Sequence, residues 1–240
     1  MRRRAHEPDM IDVAATRSRR RFSLSGWVAG WLGWLAWRFL ILVFLMVLIF
    51  AVFNPPTTFT IITNARDYPI QPREWTSIED ISPVMLRSVV AAEDANFCRH
   101  WGFDMQEIRR VVAAGGSGGA STLSQQVVKN VYLWQGRSWF RKALEAGFTP
   151  VVEAVWTKRR ILEVYLNVAE FGPGVFGIHA AAAHHFGTAP DQLNAIQSAR
   201  LAAVLPAPKL RQPLGPSRRS RSIADGAATI AADGRDDCFR

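Results

Sequence analysis

The apolar character of residues 28–53 is broken only by Arg38, and this is the longest apolar block in the chain. Residues 39–53 alone would make a helix of about 22 Å, short of the ~30 Å hydrocarbon core of a bilayer. Asn54-Pro55-Pro56 prevents extension on the carboxyl side. The span must therefore begin near Trp34 and run for about 20 residues. Arg38 then lies about one turn inside, from where its side chain can snorkel back to the headgroups. Trp27, Trp31 and Trp34 recur at helical spacing and suit an aromatic belt at that interface.

Beyond this block, apolar positions recur mostly with helical period, and convincing strand-type alternation is scarce. Residues 81–95 have helical potential, and residues 115–119 form a Gly-rich flexible loop. Residues 121–168 read as mainly helical, interrupted at Gln135-Gly136 and at Pro150. Further helices are expected over 175–186 and 192–205, the second ending at Pro206-Ala207-Pro208. Pro55, Pro56, Pro69, Pro72 and Pro83 mark a linker or irregular stalk. The tail after Pro208 is polar, Arg-rich and weakly patterned, with helical potential at 223–232. The expected class is mainly α without internal repeats. Five segments follow: a basic tail over 1–30, an anchor over 31–54, a linker over 55–74, the main folded domain over 75–210, and a C-terminal extension over 211–240.

Charge and cysteines refine this outline. The formal net charge of +9 could point to nucleic acid, but its distribution argues otherwise. Residues 1–21 carry seven Arg against Glu7, Asp9 and Asp12, directly before the apolar block. That arrangement is a topology signal: the amino terminus stays cytoplasmic and residues from 57 onward lie outside. A cleaved signal peptide would have a shorter apolar region followed by a small-x-small site, and only Ala51-Val52-Phe53-Asn54 follows here. Cys98 and Cys238 are too few for a disulfide scaffold or a cysteine zinc site. In an oxidising compartment they could form one disulfide, and two unrelated buried thiols are the alternative.

Several segments carry candidate chemistry. Glu93-Asp94 closes the mostly apolar run 88–92, where partial desolvation raises a carboxylate's pKa and suits it to proton transfer. Thr122 with Gln125 three residues later matches a capping box. The helix it opens places Gln126 and Lys129 on one face. Arg141 and Glu145 stand at i, i+4, for which a surface salt bridge is the default explanation. The amphipathic segment 158–167 is assigned with its apolar positions to core and its charges to solvent. His179, His184 and His185 lack an HExxH pattern and are better explained as core or cleft-lining residues than as zinc ligands.

Taken in order, these segments resemble the five motifs of glycosyltransferase family 51. Glu93-Asp94-x-x-Phe97-x-x-His100-x-Gly102 is similar to the first and Ala120-Ser121-Thr122-x-x-Gln125-Gln126-x-x-Lys129-Asn130 to the second. Arg141-Lys142-x-x-Glu145, Lys158-x-x-Ile161-Leu162-Glu163-x-Tyr165-Leu166-Asn167 and Gly177-Ile178-x-Ala180-Ala181-Ala182 resemble the remaining three. The likeness covers about residues 75–210, and is nearest to the monofunctional peptidoglycan transglycosylase branch, since no transpeptidase domain follows. It implies a lysozyme-like, mainly α domain with a membrane-facing jaw, in the bacterial inner membrane with its catalytic domain periplasmic.

The implied partners are lipid II, the growing glycan strand and inner-membrane lipids, with cell-division and penicillin-binding proteins as candidate protein partners and no nucleic acid. By motif position, Glu93 is the general base and Glu145 the second catalytic carboxylate. Lys129 and Arg141 bind the departing diphosphate, and Thr122, Gln126, Asn130, Asp94, Phe97 and His100 belong to the substrate-binding set. No cofactor is required and no dedicated metal site is visible; Mg2+ or Mn2+ at the diphosphate is the one metal left open. Tyr132, Leu133, Trp134, Trp139 and Phe140 could dip into headgroups or serve as core. Cys98 is not family-wide, and a disulfide with Cys238 is expected. A glycan-cleaving lytic enzyme is disfavoured because cleavage has no diphosphate for Lys129 and Arg141 to stabilise.

Overall fold

A computed structural model describes residues 24–116, 119–136 and 138–240. The chain divides into two units, one ending at Val43 and one beginning at Phe44. The long apolar block forms helix α1, Leu24–Val52, about 43 Å long by the rise of an α-helix. Its stretch Trp27–Val52 is long and apolar enough to cross a membrane. In the first unit, Trp27, Trp31 and Trp34 stack edge-to-face at 5.8 and 5.4 Å. The Arg38 guanidinium lies 3.9 Å over the Trp34 ring, so the charge inside the apolar block has an aromatic partner.

In the second unit, the carboxyl end of α1 is capped by distant side chains. A helix end leaves carbonyls without partners, and cations are favoured there. Arg160 donates to the Phe50 and Phe53 carbonyls at 2.9–3.2 Å, and the Trp156 indole donates to Val47 O at 2.8 Å. The segment expected as a linker is not one. It contains helix α2, Phe59–Asn64, capped by Thr58 and with Thr60, Ile61 and Asn64 buried. Prolines flanking this short helix masked it, and its stability comes from packing on the core. Asn167 fastens the following extended stretch by bonding both the N–H and the carbonyl of Thr76 at 2.8 Å.

Helix α3, Pro83–Glu93, has proline in its first turn, where no N–H is needed, and buries Met85, Leu86, Val89 and Val90. Helix α4, Met105–Ala113, was not anticipated; Asp104 caps it by accepting from the Gln106 and Glu107 amides. Helix α5, Leu123–Tyr132, opens with the expected capping box of Thr122 and Gln125. Helix α6, Trp139–Val155, runs straight through Pro150, contrary to the expected interruption. A proline inside a helix costs about 3 kcal/mol. Full burial of its neighbours Thr149 and Val152 offsets that cost, and the Thr149 hydroxyl takes the Glu145 carbonyl at 2.7 Å.

Helix α7, Lys158–Val168, is the most deeply buried helix, and it leads into an antiparallel hairpin of β1, Glu170–Gly172, and β2, Val175–Phe176. Gly174 makes the turn at φ +74°, where a Cβ would meet Pro69 O at 2.3 Å. Helices α8, Ile178–Phe186, and α9, Ala195–Val204, follow within the expected segments. The charges of α7 are not simply solvated: Lys158 pairs with Glu153, and Arg160 with Glu163, all largely buried.

The tail assigned as an extension belongs to the same unit. Helix α10, Arg218–Ala232, packs against α3 and α9 and buries Ile223, Ala227 and Ile230. Cys238 is bonded to Cys98, whose Cα lies 5.6 Å away across 140 residues of sequence. Asp236 is buried beneath Arg240 and Arg87, whose hydrogen bonds outweigh burial and hold its carboxyl below the usual range. A cross-link closing so long a loop stabilises by about 2–4 kcal/mol. Cys238→Ser should lower the denaturant midpoint of the full chain in detergent, followed by tryptophan fluorescence, and reductant should then have no further effect.

Candidate functional site

The site begins where α3 ends. Glu93 is its last residue, and Asp94 is the capping residue. Asp94 Oδ2 accepts from the Leu123 amide at 3.0 Å, the first N–H of α5, and its Oδ1 lies 2.8 Å from His100 Nε2. Both oxygens are therefore engaged in holding α3, α5 and the intervening loop together. Asp94 and His100, expected in the substrate-binding set, form a buried pair that braces this junction, and Asp94 also lines a cleft. Phe97, expected in the same set, is 0% exposed, packed on Phe239 and beneath the Lys158 ammonium at 4.5 Å.

The brace sets the register of α5 against Glu93. Gln126 donates from Nε2 to Glu93 Oε2 at 2.9 Å and accepts at Oε1 from the Tyr165 hydroxyl at 3.3 Å. Glu93 Oε1 is buried without a hydrogen-bond partner among the described residues. Gln126 sits where two clefts meet. One, of about 490 Å³, is lined by Glu93, Asp94, Ser121, Thr122 and Gln126. The other, of about 470 Å³, is lined by Gln126, Lys129, Asn130, Tyr165 and, from α2, Thr60 and Asn64. Thr122 is mainly a cap, donating to Gly102 O at 2.7 Å and accepting from Gln125 N at 3.3 Å. Asn130 accepts from Gln135, which also donates to Thr60.

A second charged cluster follows on α6. Arg141 reaches Glu145 Oε2 at 2.5 Å and Gly136 O at 3.0 Å, and Lys142 takes Glu145 Oε1 and the Ser121 hydroxyl. Glu145 is 3% exposed with both oxygens in ion pairs. Such a carboxylate holds both cations in place, with one hydrogen bond on each of its oxygens.

Burial pushes the Glu93 carboxyl above the usual carboxylate range, and neighbouring Asp94 adds to the rise. The Gln126 hydrogen bond, Arg219 and Lys129 oppose it without cancelling it. Burial likewise pulls Lys129 below the usual lysine value, against the attraction of Glu145 and Glu93. Lys129 thus stands in the field of both Glu93 and the Arg141–Lys142–Glu145 cluster, which joins the two halves of the site. Tyr165 is held far above the usual phenol value by burial and by Glu93, so it remains a donor.

Residues 60–231 match the family model described as Transglycosylase. A biosynthetic peptidoglycan transglycosylase of Jannaschia sp. (strain CCS1) is 63% identical over 171 residues, covering 70% of this chain and 72% of that protein. The chain belongs to the transglycosylase family. Other relatives of the same description are those of Pseudomonas putida (strain F1), 48% identical over 174 residues (68% of this chain, 73% of that protein), and Pectobacterium atrosepticum, 56% identical over 140 residues. The latter match covers 56% of this chain and 57% of that protein. The family region reaches into α10, in agreement with the packing of that helix.

Two residues of this transglycosylase were missed from sequence. Tyr165, named from sequence only within the fourth motif, lies in the core with its hydroxyl donating to Gln126. Arg219 lies in the weakly patterned tail, yet its Nη2 is 3.7 Å from Glu93 Oε1. Helix α4 could have been found from Asp104 followed three residues later by Glu107. His185 contacts Phe171 O at 3.1 Å, and burial lowers its pKa; it supports the hairpin rather than either cleft. Phe97→Ala should cost about 3–5 kcal/mol of stability. Thermal unfolding should drop accordingly, while substrate affinity per folded molecule stays native.

Proposed function

We propose that this transglycosylase polymerises lipid II into peptidoglycan strands, with Glu93 as general base and Lys129 facing the departing diphosphate. The observation that carries this reading is the pairing of a buried carboxylate, held at Oε2 by Gln126 with Oε1 unbonded, and an ammonium one helical turn away on α5. A sugar hydroxyl is a weak nucleophile at neutral pH and needs a positioned base. Glu93 Oε1 takes the proton of the acceptor 4-hydroxyl as that oxygen attacks the donor anomeric carbon. The bond from that carbon to the diphosphate breaks with inversion, and undecaprenyl diphosphate leaves with its electron pair. Fixed cations where this charge develops lower the barrier. Lys129 supplies a point charge and Arg141 a planar fork, which Glu145 keeps oriented.

The donor set does not fit a protein-held Mg2+ or Mn2+. Glu145 is committed to two cations, and among the described residues no group of three His, Cys, Asp or Glu could hold an ion. No step here uses a metal. The basic residues before α1 support an amino terminus in the cytoplasm and a catalytic domain in the periplasm of a bacterial inner membrane. Trp139 is 92% exposed, and Phe140 and Trp134 are exposed beside it, which supports this edge meeting lipid headgroups. Tyr132 and Leu133 pack inward and belong to the core.

Glu93→Gln should lower polymerisation of purified lipid II by about 10²–10⁴-fold while leaving lipid II binding largely intact. Near-native turnover would exclude the assignment. The rate should follow a bell in pH. Below the Glu93 pKa the carboxyl is already protonated, and above the Lys129 pKa the amine is neutral. Both limbs should lie inside the ordinary glutamate and lysine values of about 4.3 and 10.4. Lys129→Arg should retain an acidic limb and lose the alkaline one.

A further inference from the structure

Helix α10 meets α3 at its carboxyl end. The two helices pack closely at Gly226, where a Cβ would stand 3.2 Å from Ala91 Cβ. Toward the amino end of α10, Arg219 donates from Nη2 to Ala92 O at 3.3 Å, and past its other end Arg235 donates to Ala95 O at 3.4 Å. Both cations rest on carbonyls left free where α3 ends, a favourable place for positive charge. Arg219 is thereby held so that its Nη2 lies 3.7 Å from Glu93 Oε1, in charge contact but beyond hydrogen-bond distance. The Glu93 side chain is 11% exposed and that of Arg219 is 41% exposed, so the guanidinium sits at the solvent side of a buried carboxylate. Both residues line the same cleft.

Other groups face Glu93 from each neighbouring element. Asp94 repels its charge, α5 supplies Gln126 and Lys129, and α7 supplies the neutral Tyr165. Across the cleft, α4 offers Glu107, closed on Arg110, and Asp104, engaged with Asn96 and the helix cap. Two cations therefore favour the Glu93 anion. In the loaded site Lys129 is occupied by the diphosphate, which leaves Arg219.

We propose that Arg219 is a positioning residue for the base, its guanidinium keeping Glu93 ionised while leaving Oε1 free to accept the acceptor proton. This rests on the assignment of Glu93 as base. Hydrogen bonding to Oε1 would compete with the acceptor hydroxyl, whereas an unbonded charge at this distance favours the anion without blocking it. The C-terminal helix is then part of the catalytic machinery, and the Cys98–Cys238 bond ties the segment after it to the loop that follows Glu93.

The test compares full-length wild type, Arg219→Gln, Arg219→Lys and Glu93→Gln in detergent. Initial rates at saturating lipid II are measured from about pH 5.5 to about pH 9, with thermal unfolding of each variant. Arg219→Gln should lose rate most at the acidic end of the range, up to about tenfold, and less than about threefold near pH 8.5, because its acidic limb moves up by about one unit. Arg219→Lys keeps the charge and should restore most of the rate near pH 6. A uniform loss at every pH, a change confined to KM, or an unchanged profile would overturn the proposal. Should Arg219→Gln fail to fold, Arg219→Met is read by the same criteria. An inactive Glu93→Gln with an unmoved Arg219→Gln profile refutes Arg219 alone. An active Glu93→Gln refutes the base and this inference with it.

Discussion

The arrangement depends on one carboxylate whose two oxygens are both engaged within the protein. Asp94 takes the first free amide of α5 and the imidazole of His100, and so fixes the carboxyl end of α3 against the amino end of α5. Glu93 is its neighbour on one side of that junction, and Gln126 and Lys129 lie within the first two turns on the other. A slip of one residue in either helix would rotate these side chains by about 100°. An acceptor that satisfies a helix-terminal N–H and a histidine together makes such a slip costly, because it would leave buried polar groups unpaired.

Around this junction, burial and charge work against each other. Taking Glu93 out of water favours its neutral form, which would disable a base, and taking Lys129 out of water favours the neutral amine. Placing the two in one field restores part of both charges. The Arg141–Lys142–Glu145 cluster is built differently, since its carboxylate is wholly committed to cations. It holds a net positive charge at a defined position.

Two covalently distant parts of the chain enclose the site. Residues before α3, with their prolines, contribute α2 to the wall of the Lys129 cleft, while α10 closes the outer side of α3. Neither segment has a core of its own. Each gains its apolar burial from helices formed elsewhere, and the disulfide holds the last residues to the loop after α3.

The mainly α class, the long apolar helix and the capping box at Thr122 were legible in the sequence, because each depends on local spacing or local composition. The candidate pair Glu93 and Lys129 came from the resemblance to ordered family motifs. Local rules misjudged Pro150, the supposed linker and the tail, where packing outweighs propensity. Motif membership placed Phe97, His100 and Asp94 in the substrate-binding set, but it does not separate a residue that touches a ligand from one that supports it. Only the tertiary structure decided that Asp94 is a brace, that Glu145 is locked between cations, and that Arg219 stands beside Glu93. Those outcomes depend on which helices meet, and a contact across 126 positions leaves no periodicity in the chain to read.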